Sequence, residues 1–357
     1  MKLAVICATP AGTNNGMVSV DLAFDSIKKL LPAHYNFVRL CGWKSIKKNK
    51  NFEYDELVEI SQLEDADKII FWGDFLHWID YANRDWMRSH INNYPMLTPE
   101  EIIDKWYHLY LLENREDLQK KVIIFGNTLY GLNSDHLLNS RYVNALTQLY
   151  SNASSVLFRD VLSSNYLSQL TGNRQRTFFG CDCALMLDQL PAEEPINDYF
   201  LYSFGRSGSP EMLDQLVKDI SKELNLTPLH LEWLKKGAGL ETLEENLKLM
   251  KGSKFVLTDI YHCAINAYRE NVKVVCVGNA ACRVTDTLSD KKKELFHFQH
   301  FASKSYFYLE QLTSQYDSEL IRILNLINDD SYYENIFKLL SIHVEQVKNE
   351  LIHSIKK

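Results

Sequence analysis

The sequence predicts an α/β protein of two Rossmann-like, doubly wound domains facing a cleft, with a helical tail at the C-terminus. Three observations carry this. Short β-branched runs alternate with helix-patterned segments along nearly the whole chain, as in parallel α/β layers. At 357 residues there is room for about two domains. A Pro- and Glu-containing stretch, Pro191-Ala-Glu-Glu-Pro195-Ile-Asn, interrupts the alternation, and fresh strand signal follows it. The domains are therefore drawn at 1–190 and 198–315, with the tail at 316–357.

In the first half, residues 2–8, 36–40, 68–73 (KIIFWG), 121–127 (KVIIFGN), 154–159 and 176–180 read as strands. The runs at 68–73 and 121–127 are continuously apolar, which suits strands buried on both faces. Helical spacing is evident over 17–31, and a helix is expected over 99–113. In the second half, strands are expected at 199–204, 228–233, 254–258 (KFVLT) and 273–278 (KVVCVG), and helices at 210–224, 240–250 and from about 261. Beyond 316 the chain reads as helical. Val344, Val347, Leu351 and Ile355 share one stripe, so the last helix must dock on the body, crossing back to the first domain. Two doubly wound halves, a short linker and a helical tail suggest the GT-B architecture. Neither an internal repeat nor a G-x-G-x-x-G fingerprint is present.

Composition narrows the function classes. A net charge of −7 argues against a general nucleic-acid binder, and an anionic ligand would have to be met by a few local basic residues. Seven Cys, an odd number without zinc-type spacing, read as reduced thiols. The N-terminal apolar run is too short for a signal peptide, and no apolar stretch reaches the ~20 residues that span a bilayer. A cytoplasmic protein is expected. Lys44, Lys47, Lys48 and Lys50 lie between Trp43 and Phe52; they read as a solvated loop or as a peripheral contact with the inner face of the cytoplasmic membrane. No cofactor is expected and no metal: Cys181-x-Cys183 has no second ligand pair, and His297-Phe-Gln-His300 no third ligand.

Two segments combine a strand end with chemistry. Phe204-Gly205-Arg206-Ser207-Gly208-Ser209-Pro210 follows a strand and opens a helix, with Ser209 placed as N-cap and Pro210 as first helical residue. Free amides and Arg206 would make an anion site there; a strand–helix turn with a solvated Arg accounts for the same residues. Thr258-Asp259-Ile260-Tyr261-His262-Cys263 also ends a buried strand. Thr258 or Asp259 can cap the helix, leaving His262 in its first turn to bind phosphate or move a proton; a capped helix with a hydrogen-bonded His is the alternative. In open α/β sheets ligands sit outside the carboxyl ends of the strands. Asp74, His77 and Trp78 occupy the turn after 68–73, where acceptor contact is plausible, with Trp78 and Trp86 stacking on sugar; aromatic packing is the commoner explanation of such residues. Arg159-Asp160 reads as an ion pair and helix start.

These segments, in this order, resemble the polysaccharide pyruvyl transferases. That family's T-D-R-hydrophobic-H-G, followed by a helix and a P-V-V-type strand, is similar to Thr258–Cys263 followed by 272–277. KIIFWGDFLH resembles its apolar strand with a Gly-rich turn, and SVLFRDVLS its strand with R-D-x-x-S. Asp182-Cys183-Ala184 resembles its D-P-A, RVTDTL from Arg283 its basic segment, and Asn15-Gly16 its N-x-G turn. The resemblance runs to about residue 295.

It implies a transferase of bacterial surface-polysaccharide assembly (exopolysaccharide, capsule or lipopolysaccharide) that moves a pyruvyl group from phosphoenolpyruvate to a sugar as a ketal. Carried onto this chain, His262 is catalytic. Arg206, Ser207, Gly208, Ser209, Thr258, Asp259, Ile260, Tyr261 and Arg283 bind the donor. Asn15, Asp74, His77 and Trp78 bind the acceptor, a glycan or lipid-linked sugar. The chain departs from the pattern where the Arg of R-x-H is Ile260 and the next Gly is Cys263. An Ile cannot bind phosphate or carboxylate, so Arg206 and Arg283 are left to hold the donor. The departure keeps two alternatives open: a GT-B glycosyltransferase whose Gly205–Ser209 loop and His262 face the diphosphate of a nucleotide sugar, and a non-catalytic sugar-binding or assembly protein.

Overall fold

The structure, a computed structural model, describes residues 1–7, 14–42, 54–129, 132, 134–172, 177–191, 198–279 and 303–357. The chain forms two compact units. The first comprises Met1–Ala11, Val20–Met186 and Gln346–Lys357; the second comprises Gly12–Ser19 and Leu187–Glu345. Two segments thus depart from the sequence-drawn boundaries. Residues 12–19 group with the second unit. The tail is not a separate body, since 316–345 belong to the second unit and only the last twelve residues, Gln346–Lys357, to the first.

The first unit holds a seven-stranded sheet in which every neighbouring pair is parallel. Its strands are β1 (Lys2–Cys7), β2 (Asn36–Cys41), β3 (Asp55–Glu56), β4 (Lys68–Asp74), β5 (Val122–Asn127), β6 (Ser155–Phe158) and β7 (Thr177–Phe179), in the order β3-β2-β1-β4-β5-β6-β7. All six residues of β5 are buried, as its unbroken apolar run requires. Trp72 of β4 stacks on Phe125 of β5, ring centroids 4.8 Å apart, and Phe24 meets Trp72 edge-on at 5.2 Å. The helix Pro99–Tyr110 begins with a reciprocal capping box between Thr98 and Glu101. The helix Ser140–Asn152, unforeseen above, is capped by Asn139 and buries Tyr142, Ala145, Leu146, Leu149 and Tyr150. At the chain end, Val347, Leu351 and Ile355 are buried and Val344 is half-buried within the helix Asp330–Lys356.

The second unit holds a parallel sheet of β8 (Tyr199–Ser203), β9 (Thr227–His230), β10 (Phe255–Thr258), β11 (Lys273–Gly278) and β12 (Tyr306–Tyr308), in the order β12-β11-β10-β8-β9. The expected strand over 228–233 stops at His230; the Leu231 amide donates to the Tyr202 carbonyl, and the chain then turns with Trp233 fully buried. The helix Pro210–Leu224 buries Leu213, Leu216, Val217 and Ile220 at helical spacing. The chain leaves β8 outward to β9 and returns on the other side of β8 to form β10. Strand order therefore reverses between β8 and β10, the place where doubly wound sheets take their ligands.

Candidate functional site at the switch point of the second unit

Both chemistry-bearing segments emerge at this switch point, Phe204–Ser209 from β8 and Asp259–His262 from β10. The strand ends are tied together. Thr258 Oγ1 donates to the Ser203 carbonyl at 2.7 Å and accepts from the Ile260 amide at 3.0 Å, while Ser203 Oγ donates to the Leu231 carbonyl at 2.6 Å. Asp259, fully buried, turns its carboxylate across the sheet onto the loop after β8. It accepts from the amides of Gly205 (3.0 Å), Arg206 (2.7 Å) and Ser207 (2.7 Å), and from the Ser207 hydroxyl. Successive amides aimed at one point form an anion-binding concavity. Gly208 follows at φ +73°, a left-handed conformation that favours glycine and turns the chain toward its helix. The Arg206 side chain is exposed.

Two capping expectations are corrected here. Ser209 stands at the N-cap of Pro210–Leu224 but makes no side-chain cap bond. Neither Thr258 nor Asp259 caps the helix Tyr261–Arg269; its N-cap is Ile260, because Asp259 is spent on the neighbouring loop and Thr258 on the strand end. The first turn, with His262 at its second position, thus starts without a side-chain cap. Ile260 and Tyr261 are both buried, each 5% exposed, whereas His262 is half-buried. Burial pushes the Cys263 thiol up to about 12, which removes it as a nucleophile.

His262 is packed by the segment 14–19. A Cβ on Gly16 would lie 2.9 Å from the His262 Cβ, so this position admits no side chain without displacing the histidine. Asn266 donates to the His262 carbonyl at 2.8 Å and to Ser19 Oγ at 3.0 Å. Asn15 is fully buried and donates to the carbonyls of Glu232 (3.3 Å) and Trp233 (3.0 Å). It therefore braces the second unit and does not present its amide to an acceptor. Lys235 and Lys236 are exposed in the turn after β9, and Lys235 pairs with Glu232 at 3.4 Å. Arg283 lies outside the described residues, as do Trp43, Lys44, Lys47, Lys48, Lys50, His297 and His300.

In the first unit the strand-end residues fare differently. His77 is 1% exposed, its Nδ1 2.9 Å from the Tyr150 hydroxyl and its ring edge-on to Phe71; burial pushes its pKa down to about 3, so it is a neutral core residue. The acceptor contact expected of it is withdrawn. Trp86 is likewise core: its indole donates to the Ile102 carbonyl at 3.0 Å and stacks on His90, so it is not a sugar platform. Trp78 is half-buried and its indole N–H has no partner among the described residues. Asp74 ends β4 opposite Asn127. Arg159 pairs with Asp182 at 3.5 Å and lies over Phe75, while Asp160 caps the helix Val161–Thr171; the expected Arg159–Asp160 pair gives way to these two separate roles. Among the described residues no group of three or more His, Cys, Asp or Glu is placed to hold a metal, and no helix is long and apolar enough to cross a membrane.

No curated protein matches the sequence. Among solved structures, a putative UDP-N-acetylglucosamine 2-epimerase from Listeria monocytogenes aligns with a TM-score of 0.58 at 11% identity, over 99% of this chain and 95% of that one. MnaA of S. aureus, in a co-structure with UDP, aligns with a TM-score of 0.52 at 13% identity, over 94% of this chain and 92% of that one. At such identities the likeness establishes the α/β, GT-B-like fold alone. The family comparison goes further. Residues 21–280, which contain β2 to β11 and both switch-point segments, match Polysaccharide pyruvyl transferase. The match begins after Asn15 and ends before Arg283, and over its length this chain belongs to the polysaccharide pyruvyl transferase family.

Proposed function

We propose that the protein transfers a pyruvyl group from phosphoenolpyruvate to a pair of hydroxyls on a sugar, and that the second unit holds the donor. The observation that carries this is the convergence of Arg206 and His262 on the two strand ends that flank the switch point, in a chain of this family. Arg206 offers a planar, permanently charged fork for phosphate or carboxylate. The uncapped first turn of Tyr261–Arg269 adds amides and the positive end of a helix. Ile260 leaves a deficit of one cation relative to the family pattern, which Arg283 or Lys236 makes up.

In the reaction one sugar hydroxyl adds to C2 of the donor and gives up its proton, while the C3 methylene takes one proton and becomes a methyl. The C2–O bond to phosphate then breaks. The second hydroxyl adds to C2 and gives up its proton, which the departing phosphate takes, leaving a cyclic ketal and hydrogen phosphate. His262 delivers the proton to C3 or supports the departing phosphate. The acceptor is a glycan or lipid-linked sugar of a bacterial surface polymer, met by Asp74 and Trp78, in the cytoplasm or at the inner face of its membrane.

Ile260 favours a second reading, in which a nucleotide sugar is the donor, as the UDP-sugar enzymes of similar fold suggest. A thermal-shift panel separates the two, because a ligand that binds only the folded state raises its melting temperature. Phosphoenolpyruvate should raise it and UDP-N-acetylglucosamine should not. The reverse pattern replaces the first reading with the second.

A further inference from the structure

We propose that Asp259 is the resident anion of the Gly205–Ser207 loop, a positioning residue that holds Arg206 at the donor and closes this concavity to the donor's own phosphate. The role assigned to Arg206 rests on the donor reading above; the occupancy of the loop does not.

The loop after β8 has the form of an anion site, yet its donors converge on a carboxylate of the same chain. Asp259 Oδ2 accepts from the amides of Arg206 and Ser207, each at 2.7 Å, from the amide of Gly205 at 3.2 Å, and from the Ser207 hydroxyl; Oδ1 accepts from the Gly205 amide at 3.0 Å. Asp259 is fully buried and Ser207 is 2% exposed. A buried carboxylate is tolerated only when it is met by such donors, so loop and carboxylate stabilise each other. The donor phosphate cannot use these amides, which are already taken, and it would also meet a fixed negative charge.

The geometry also sorts the atoms of Arg206. Its amide points inward to Asp259, and its side chain is exposed. The carboxylate comes from the other strand of the switch point, 52 residues from Ser207, and stands three residues before His262. One side chain thus ties the loop that carries the cation to the strand end that leads into the helix carrying the histidine. A Glu would overreach the concavity, and an Asn would fill it without the charge.

Amide hydrogen exchange at Gly205–Ser207 tests this, with melting curves and phosphoenolpyruvate titrations, on wild type, Asp259→Ala and Asp259→Asn, with and without formate as the probe. Asp259→Ala should exchange these amides at least about tenfold faster and bind phosphoenolpyruvate about tenfold or more weakly. Tens of millimolar formate should reverse both effects by filling the vacated site, as expected for lost charge-assisted hydrogen bonds. Asp259→Asn should fold, lose donor affinity severalfold and ignore formate. Wild type and Arg206→Ala should also ignore formate.

Unchanged amide protection in folded Asp259→Ala, or formate without effect on it, overturns the resident-anion assignment. Formate-restored protection with unchanged donor affinity overturns the positioning role. Should Asp259→Ala fold only with formate, the assignment stands; should it not fold at all, Asp259→Asn with unchanged donor affinity overturns the proposal. A wild type that ignores phosphoenolpyruvate defeats the donor reading, and the exchange measurement still decides the occupant of the loop.

Discussion

Both units carry polar residues just beyond a central parallel strand, after β4 in the first and after β10 in the second, and they use them in opposite ways. After β4 the chain runs straight into packing, with His77 sealed against Tyr150 and Phe71 and held neutral. After β10 it runs into hydrogen bonds between strand ends, with Asp259 feeding a loop whose Arg206 stays exposed. The same address in a doubly wound sheet leads to a sealed histidine in one unit and to a loop with an exposed arginine in the other. Burial decides which, and the residue types alone do not.

The first unit's dependence on packing is broken most severely at the chain end. Ending the chain after Glu345 removes Val347, Leu351 and Ile355, all buried in that unit. At about 1.5–3 kcal/mol for each buried aliphatic side chain, the loss approaches the ~5–15 kcal/mol that holds a whole protein folded. The shortened protein should be insoluble or melt far below the parent. An unchanged melting temperature would make the last helix an appendage.

In the second unit, Ile260→Arg places a guanidinium at a position 5% exposed, so it should cost several kcal/mol and lower the melting temperature by many degrees. A variant that melts like the parent and binds phosphoenolpyruvate more tightly would show that the family's Arg position is open to the donor after all.

A smaller effect comes from pH. His77 has a folded pKa of about 3 against an ordinary value of 6.5. Below pH 6.5 the unfolded chain takes a proton that the folded chain refuses, so His77 contributes its full stability above 6.5 and loses it as pH falls toward 3. The slope is about 1.4 kcal/mol per pH unit well inside that window. His90, pushed down to about 4 by burial, acts in the same direction. Urea unfolding of His77→Phe between pH 6 and 4.5 should show a flatter slope than the parent, with that of His90 remaining; equal slopes would place His77 in water.

These contrasts explain which parts were legible in the sequence. Lys273–Gly278 and Pro210–Leu224 read true because each is one uninterrupted signal, a continuous apolar run and a 3.6-residue repeat with Pro at its start. Asp55–Glu56 and Tyr306–Tyr308 were too short to show any period. The helix Ser140–Asn152 did carry its signal, Tyr142, Ala145, Leu146, Leu149 and Tyr150, and it went unread. At the site, both strand-end motifs were visible, but the direction of Asp259 was not. A carboxylate before a helix reads as its cap, and only the pairing of β8 with β10 reveals a better set of donors next door. His77 was misplaced for a related reason: a His in a short turn reads as exposed until its aromatic neighbours are known.

The smallest expected effect on the fold is the largest on function. Arg206 is exposed in a loop, and Arg206→Ala should leave the melting temperature within a degree or so, since surface changes are usually within about 0.5 kcal/mol. Titration calorimetry of phosphoenolpyruvate into wild type and Arg206→Ala therefore tests the central claim most directly. The account predicts saturable binding to wild type and a loss of about tenfold or more in the variant, the cost of one charge-assisted contact to phosphate or carboxylate. Equal affinity in the two proteins would contradict it and put the donor away from the second unit's switch point.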